Sequence, residues 1–88
     1  MITALNQELI NQRIHRELCR SINQHGMWDD YLTYTMMWDC IHAELNEADN
    51  AIYRGDHDGE HGTFNELAQV AACCMKMMNQ IIERGDVT

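Results

Sequence analysis

The 88-residue chain contains no proline, a single lysine (Lys76) and only five arginines. Because proline breaks helix interiors, its absence favours long uninterrupted helices. The formal net charge is −8 at pH 7, which argues against nucleic acid as a partner, since that affinity comes from neutralised phosphates. The same acidity argues against an anionic membrane surface. A ligand that itself carries phosphates would therefore need a divalent cation between it and the protein.

The sequence also lacks the patterns of secreted and membrane-spanning proteins. Its four cysteines show no C-x-x-C spacing and follow no secretory signal, which predicts reduced thiols that serve as small core residues. No apolar run approaches the ~18 residues that a membrane span requires. We therefore expect a cytoplasmic protein. The length, with no internal repeat and no linker, predicts a single domain over residues 1–88.

Apolar residues recur with the period of a helix and never alternate with period two, which predicts an all-α fold. A first helix is expected over about residues 4–24, ended by Gly26. Its expected apolar side comprises Leu5, Leu9, Ile10, Ile14, Leu18 and Ile22.

Two further helices are expected after Gly26. Asp29 or Asp30 is suited to cap a second helix, which runs from about Asp30 to Arg54 and ends before Gly55. Thr63 begins a third helix, which continues to about residue 84. Three helices, even with a short extra one, cannot bury an apolar arc of ~140–180° on each of the two longest. The subunit is therefore predicted to form a homodimer or a dimer of dimers, with a four-helix bundle completed across subunits.

Two glutamates interrupt the predicted apolar faces. With about 100° between successive residues, Glu44 lies inside the apolar arc of the second helix and Glu47 lies just outside it. On the third helix Glu66 lies at the margin of the buried face, with Gln69 and Lys76 close to one another beyond it. Burying an unpaired carboxylate costs several kcal/mol, so such groups are paired, protonated or bound to metal.

Magnesium is one explanation of these carboxylates, because it takes carboxylate oxygens and keeps waters that a phosphate can replace. Structural explanations stay open beside it. Thr63 and Glu66 have the spacing of a capping box, and Glu44 and Glu47 would lie in solvent if the second helix were rotated. Lys76 could contact a phosphate or form an exposed ion pair.

Two segments carry a resemblance to a known family. "AELNEADNAIYRGD" (43–56) and "NELAQVAACCMKM" (65–77) resemble the signature segments of the MazG-like all-α nucleoside triphosphate pyrophosphohydrolases, especially the short phage-encoded members. The family pattern is E-E-x-x-E on one helix and E-x-x-D on the next. "INQHGMWDDYL" resembles the run into the first segment, so the similarity covers roughly residues 20–82.

The resemblance extends to single positions. Glu44 and Glu47 match the E-x-x-E ligands of the first segment, and Glu66 matches the first acid of the second segment. The chain departs from the family at Ala43, where a glutamate is usual, and at Gln69, where aspartate is usual. An amide oxygen can coordinate magnesium but brings no charge.

The resemblance implies hydrolysis of a nucleoside or deoxynucleoside triphosphate to the monophosphate and pyrophosphate. Glu44, Glu47 and Glu66 would hold Mg²⁺, with Gln69 as a weak ligand or as a hydrogen-bond partner of the ligands. A second reading is a MazG-like scaffold that has lost catalysis and binds or inhibits a protein, for example a host protein of a phage. Ala43 and Gln69 favour this second reading, whereas the three retained glutamates favour the enzyme.

Overall fold

A computed structural model describes residues 1–29 and 31–87. The chain forms three helices, α1 (Ala4–His25), α2 (Tyr34–Arg54) and α3 (Thr63–Glu83), and the described residues form no strand. The predicted all-α fold is therefore confirmed. None of these three helices contains an apolar stretch long enough to cross a membrane.

The ends of α1 lie where its sequence places them. The Thr3 hydroxyl oxygen accepts a hydrogen bond from the Asn6 amide at 3.1 Å, which satisfies one of the free N–H groups of the first turn. Gly26 follows the last turn with φ 73°, a region that favours glycine over any residue with a side chain. The prediction that Gly26 ends the first helix is confirmed.

The start of α2 differs from the prediction. The helix begins at Tyr34, capped by the Thr33 hydroxyl, which accepts from the Met36 amide at 3.1 Å. Asp29 instead forms a local turn by accepting from the Tyr31 amide at 2.9 Å, so the prediction that Asp29 caps the helix is wrong. Asp30, the other predicted cap, lies outside the described residues.

The segment before α2 contacts side chains at the C-terminal end of α3. The Gln80 amide nitrogen donates to the carbonyl oxygen of Trp28 at 2.6 Å. The Arg84 guanidinium donates to the carbonyl oxygen of Leu32, also at 2.6 Å. These two contacts connect the segment before α2 to the C-terminal end of α3.

The start of α3 excludes the capping box. Gly62 is the capping residue and no side chain caps this end. The Thr63 hydroxyl donates to the carbonyl oxygen of Asp56 at 3.0 Å, which is in the preceding loop. The capping-box explanation of Glu66 is therefore wrong. The other end is close to the expected position, with Glu83 as the last helical residue and Arg84 as its cap.

Of the three helices, α3 is the one that both others contact. α3 packs against both other helices, whereas α1 and α2, as described, make no close contact with each other. Arg13 and Ser21 of α1 meet Asn65 and Lys76 of α3 in the same order, so these two helices run parallel. α2 runs antiparallel to them. This arrangement leaves a cleft between α1 and α2, with α3 as its floor.

The apolar core is small and lies almost wholly between α2 and α3. Among the described residues, the buried apolar side chains are Met37, Ile41, Ala48, Ala51, Ala68 and Ala72. Within α1, which the structure describes in full, Glu17 is the only buried residue. Leu5 and Leu9, at the start of the predicted apolar side of α1, are 76% and 53% exposed.

Large apolar side chains cover the side of the α2–α3 pair that faces away from the cleft. Because the two helices are antiparallel neighbours, exposed stripes that lie about 100° from their mutual contact fall on the same side of the pair. We call this surface the apolar face. Its residues are Trp38, Leu45 and Ile52 of α2 with Leu67, Met78 and Ile82 of α3, each at least 39% exposed.

Candidate functional site

The cleft between α1 and α2 contains a cavity of about 140 Å³. All three helices contribute to its wall, and most of the side chains are polar or ionisable. The lining residues are Glu17, Arg20, Ser21, Gln24 and His25 of α1, Glu44 of α2, and Gln69, Ala72 and Cys73 of α3.

Gln69 joins two of the predicted site residues at the floor of this cleft. Its amide nitrogen lies 3.1 Å from Oε2 of Glu44 and 3.1 Å from Oε2 of Glu66, and it donates to both. This orientation of the amide is assigned from the hydrogen-bond network, because the opposite one would set three acceptors against each other. The structure therefore brings Glu44, Glu66 and Gln69 together.

The burial of the three predicted glutamates follows the helical-wheel expectation. Glu66 is 4% exposed, Glu44 is half-buried, and Glu47 is exposed at the edge. The alternative in which a rotated helix places both Glu44 and Glu47 in solvent is wrong for Glu44.

The electrostatics of the cleft favour a cation. Burial, followed by the negative charges of Glu66, Glu47 and Glu17, raises the pKa of Glu44 above its ordinary value. Burial and then the charge of Glu47 raise the pKa of Glu66. Each carboxylate is thus harder to ionise than in water, because like charges share a poorly solvated space. A positive ion placed among them would reverse this effect.

Glu17 is a site residue that the sequence reasoning missed. Its side chain is 2% exposed, and its Oε1 atom accepts no hydrogen bond from any described residue. A signal was present, because on a helical wheel Glu17 lies about 20° from Ile10 and about 60° from Ile14. That position places a carboxylate within the stripe by which α1 packs on α3.

Asn65 and Glu60 hold the arginines of α1 at the rim of the cleft. Asn65 is fully buried, and its amide oxygen accepts from Arg13 and from Arg16, each at 3.3 Å. Its amide nitrogen donates to the carbonyl oxygen of Glu60 at 2.8 Å. The Glu60 carboxylate pairs with Arg20, whose guanidinium lowers the pKa of Glu60. These contacts were not predicted from the sequence.

Lys76 lies apart from the carboxylates. It is 2% exposed, so the alternative of an exposed ion pair is wrong. Its ammonium donates to the Ser21 hydroxyl at 3.1 Å and lies 5.0 Å from the centroid of the Trp28 ring, a favourable cation–π distance. A contact between Lys76 and a phosphate stays a prediction, and it would require the ammonium to leave these partners.

The cysteines are free thiols, but the prediction that they are core residues is wrong. Cys19 and Cys40 are exposed, and Cys73 and Cys74 are only partly buried. Burial and the neighbouring charge of Glu44 raise the pKa of Cys73 to about 11. This thiol therefore stays protonated at neutral pH, and it does not offer the thiolate that metals prefer.

The carboxylates are not arranged as a closed metal cage. Within residues 1–29 and 31–87, no three His, Cys, Asp or Glu side chains stand close enough together to enclose a metal ion directly. A magnesium ion in this cleft would therefore keep part of its water shell, which is its usual behaviour in proteins.

We expect Gln69→Asp to lower the affinity of the site for magnesium about tenfold. The amide that donates to Glu44 and Glu66 would be replaced by a third negative charge next to them, and two acceptors would lose their donor. Magnesium titration by calorimetry measures the change. Asn46→Asp, which adds the same charge at an exposed position of α2, is the matched control. Clearly tighter binding by Gln69→Asp would mean that the chain has merely lost a ligand at this position.

Comparisons of the chain with protein-family models, with curated proteins and with solved structures gave no match. The resemblance to the MazG-like family therefore stays a prediction, and its support lies in the residues themselves.

Proposed function

We propose that the protein hydrolyses a nucleoside or deoxynucleoside triphosphate to the monophosphate and pyrophosphate in a magnesium-dependent reaction. One observation carries this proposal. Gln69 donates to both Glu44 and Glu66, which come from two different helices, and Glu44 and Gln69 line an open cleft. Burial, and after it the charges of neighbouring carboxylates, raises the pKa of both glutamates. Such a site would bind a divalent cation with little rearrangement of its side chains. The bound cation would then attract the phosphates to an otherwise acidic protein.

The site residues would have different roles in binding the metal ion. When bound, Mg²⁺ supplies charge neutralisation at the phosphoryl group that is transferred. Glu44 and Glu66 would hold it from the floor of the cleft and Glu47 from the edge. A half-turn of the Gln69 amide places its oxygen where its nitrogen lies, so Gln69 can donate to the carboxylates without the ion and face the ion when it is present.

Two arginines provide the positive charge that the carboxylates lack. Arg20 lines the cleft and Arg16 lies next to Glu17. Their side chains are 42% and 61% exposed, and a phosphate would replace their present acceptors, Glu60 and Asn65. Guanidinium groups bind phosphates through paired N–H donors. In this arrangement they would hold the outer phosphates, which leave as pyrophosphate.

A pyrophosphate-release assay over the common NTPs and dNTPs tests the proposal. We expect weak to moderate turnover with magnesium and none with an excess of chelator. Turnover that persists in chelator would place the reaction elsewhere. Absence of turnover with every triphosphate would refute the enzymatic proposal.

The alternative function is that of an interaction protein on the same scaffold, with the catalytic site decayed. The specific observation in its favour is the apolar face, since exposed apolar patches of this kind mark protein-binding surfaces. Ala43 and Gln69, the two departures from the family pattern, point the same way. The proposed partner is a host protein, and the absence of turnover in the assay above would favour this alternative.

We further propose that the apolar face is covered by a second copy of the chain, as a homodimer or as part of a dimer of dimers. Leu45→Arg is expected to weaken the dimer at least tenfold, because a buried unpaired charge costs several kcal/mol. Leu5→Arg, at an exposed position of α1 outside this face, is the control. Light scattering at micromolar concentration measures the mass, and a stable wild-type monomer would contradict the proposal.

A further inference from the structure

Two pairs of residues fix how α2 and α3 are aligned along one edge of their contact. The Glu44 carboxylate accepts from the Gln69 amide at 3.1 Å. After burial, the charge of Glu47 is the largest contribution to the raised pKa of Glu66, so these two residues also lie close together. Because the helices are antiparallel, three residues forward along α2, from 44 to 47, correspond to three residues back along α3, from 69 to 66. Residues three and four apart share one side of a helix.

The same alignment places Cys40 opposite Cys73. Cys40 lies one turn before Glu44, and Cys73 lies one turn after Gln69, so each is four residues further along the same edge. Burial is the main cause of the raised pKa of Cys73, and after it come the charges of Glu44, Cys74 and Cys40. Since Coulomb interactions weaken with distance, the contribution of Cys40 agrees with a position near Cys73.

The two thiols are accessible to different degrees. Cys40 is exposed, whereas Cys73 is partly buried and lines the cleft. The axes of packed helices are ~8–10 Å apart, and facing Cα atoms are closer than the axes because each lies ~2.3 Å from its own axis. Facing residues thus come into the ~4.4–6.8 Å range between the Cα atoms of a disulfide.

We propose that Cys40 and Cys73 form a redox-responsive pair, which a low-molecular-weight disulfide such as oxidised glutathione converts reversibly to an intramolecular disulfide. The bond would join α2 to α3 at the wall of the cleft, one turn from Glu44 and Gln69. This proposal is independent of the proposed function, because it requires neither a bound cation nor a nucleotide.

The bond would form by two successive thiol–disulfide exchanges. The exposed Cys40 attacks first, as a thiolate, at one sulfur of glutathione disulfide. A mixed disulfide forms, and one glutathione leaves as a thiolate that takes up the proton lost by Cys40. Cys73, whose pKa of about 11 keeps it protonated at neutral pH, then gives up its proton and attacks the Cys40 sulfur. The second glutathione leaves with that proton, so two cysteines are oxidised and one glutathione disulfide is reduced to two thiols.

Mass spectrometry of the wild-type chain in a buffer of oxidised and reduced glutathione tests the proposal. After acid quenching and alkylation without reduction, the main oxidised product should be a monomer two hydrogen atoms lighter than the reduced chain. Trypsin cleaves after Arg20, Arg54 and Lys76, which places Cys40 in the peptide 21–54 and Cys73 in the peptide 55–76. These two peptides should be cross-linked, and an excess of reduced glutathione should separate them.

Cys73→Ser and Cys74→Ser are a matched pair of variants, since both cysteines are partly buried and point about 100° apart around α3. Cys73→Ser should lower the yield of the internal disulfide at least about tenfold, because a disulfide forms only between suitably placed Cα and Cβ atoms. Cys74→Ser should leave the yield unchanged.

Three results would overturn the proposal. The first is loss of the cross-link in Cys74→Ser, which would assign the bond to Cys74. The second is a covalent dimer of two chains as the main product. The third is a wild-type chain that stops at mixed disulfides with glutathione, which would mean that Cys73 does not reach Cys40. The last two are measured on the wild type, so the test does not depend on the folding of a variant.

Discussion

Glu44→Gln is expected to reduce magnesium-dependent pyrophosphate release at least about 100-fold, since the loss of a direct ligand should exceed that of an outer-shell partner. The same variant should be more stable than the wild type when chelator is present. The ionised Glu44 carboxylate is disfavoured by burial and by Glu66, Glu47 and Glu17, so a neutral amide of the same shape relieves a repulsion. Activity and stability thus change in opposite directions.

The matched control for Glu44→Gln is Asp49→Asn, which removes one negative charge from an exposed position of the same helix. It should leave the pyrophosphate assay and the thermal unfolding midpoint nearly unchanged. Circular dichroism measures the helix content of Glu44→Gln. If the variant loses helix together with activity, the loss of activity reflects unfolding and contradicts our interpretation. Full activity of Glu44→Gln would remove Glu44 from the site.

Met37→Ala is expected to cost about 2–5 kcal/mol in the free energy of unfolding, the usual range for truncating a buried methionine. Met37 is fully buried, and Ile41 is the only other large apolar side chain in a core made otherwise of alanines, among the residues the structure describes. Native domains have only about 5–15 kcal/mol in total. The variant should therefore be partly unfolded at ordinary temperatures.

Met36→Ala is the control, because the neighbouring Met36 is 49% exposed and surface substitutions usually stay within about 0.5 kcal/mol. Urea unfolding followed by circular dichroism, at one fixed protein concentration, compares the two variants. If they lost similar stability, the core would not lie where the structure places it.

Local signals predicted the helices better than their exact starts. Gly26 ended α1 as expected, because a positive φ is a property of one residue. The start of α2 was misplaced because Asp29 and Thr33 are both good caps, and the choice depends on distant side chains. Gln80 and Arg84 bind the carbonyl oxygens of this segment, and their contacts span more than fifty residues of sequence.

Part of the candidate site was also predictable from the sequence and part was not. The burial of Glu44 and Glu66 followed from helical periodicity, since each carboxylate falls on an apolar arc of its own helix. Glu17 follows the same periodicity on α1. It was missed because the neighbouring arginines in the sequence are typical of a solvent-exposed helix face. The burial of Lys76 could not be predicted, because its partners Ser21 and Trp28 lie on another helix and in a loop.

The packing of α1 against α3 alone predicts the order in which the helices come together during folding. α2 and α3 are neighbours in sequence, joined by a short loop, so their antiparallel contact closes a small loop and should form early. α1 packs only on α3, parallel to it, through pairs such as Arg13 and Asn65 that are 52 residues apart. Docking α1 therefore carries the larger entropic cost and should come last. The cleft does not exist before that step, so partly folded chains would have an α2–α3 hairpin but no cleft.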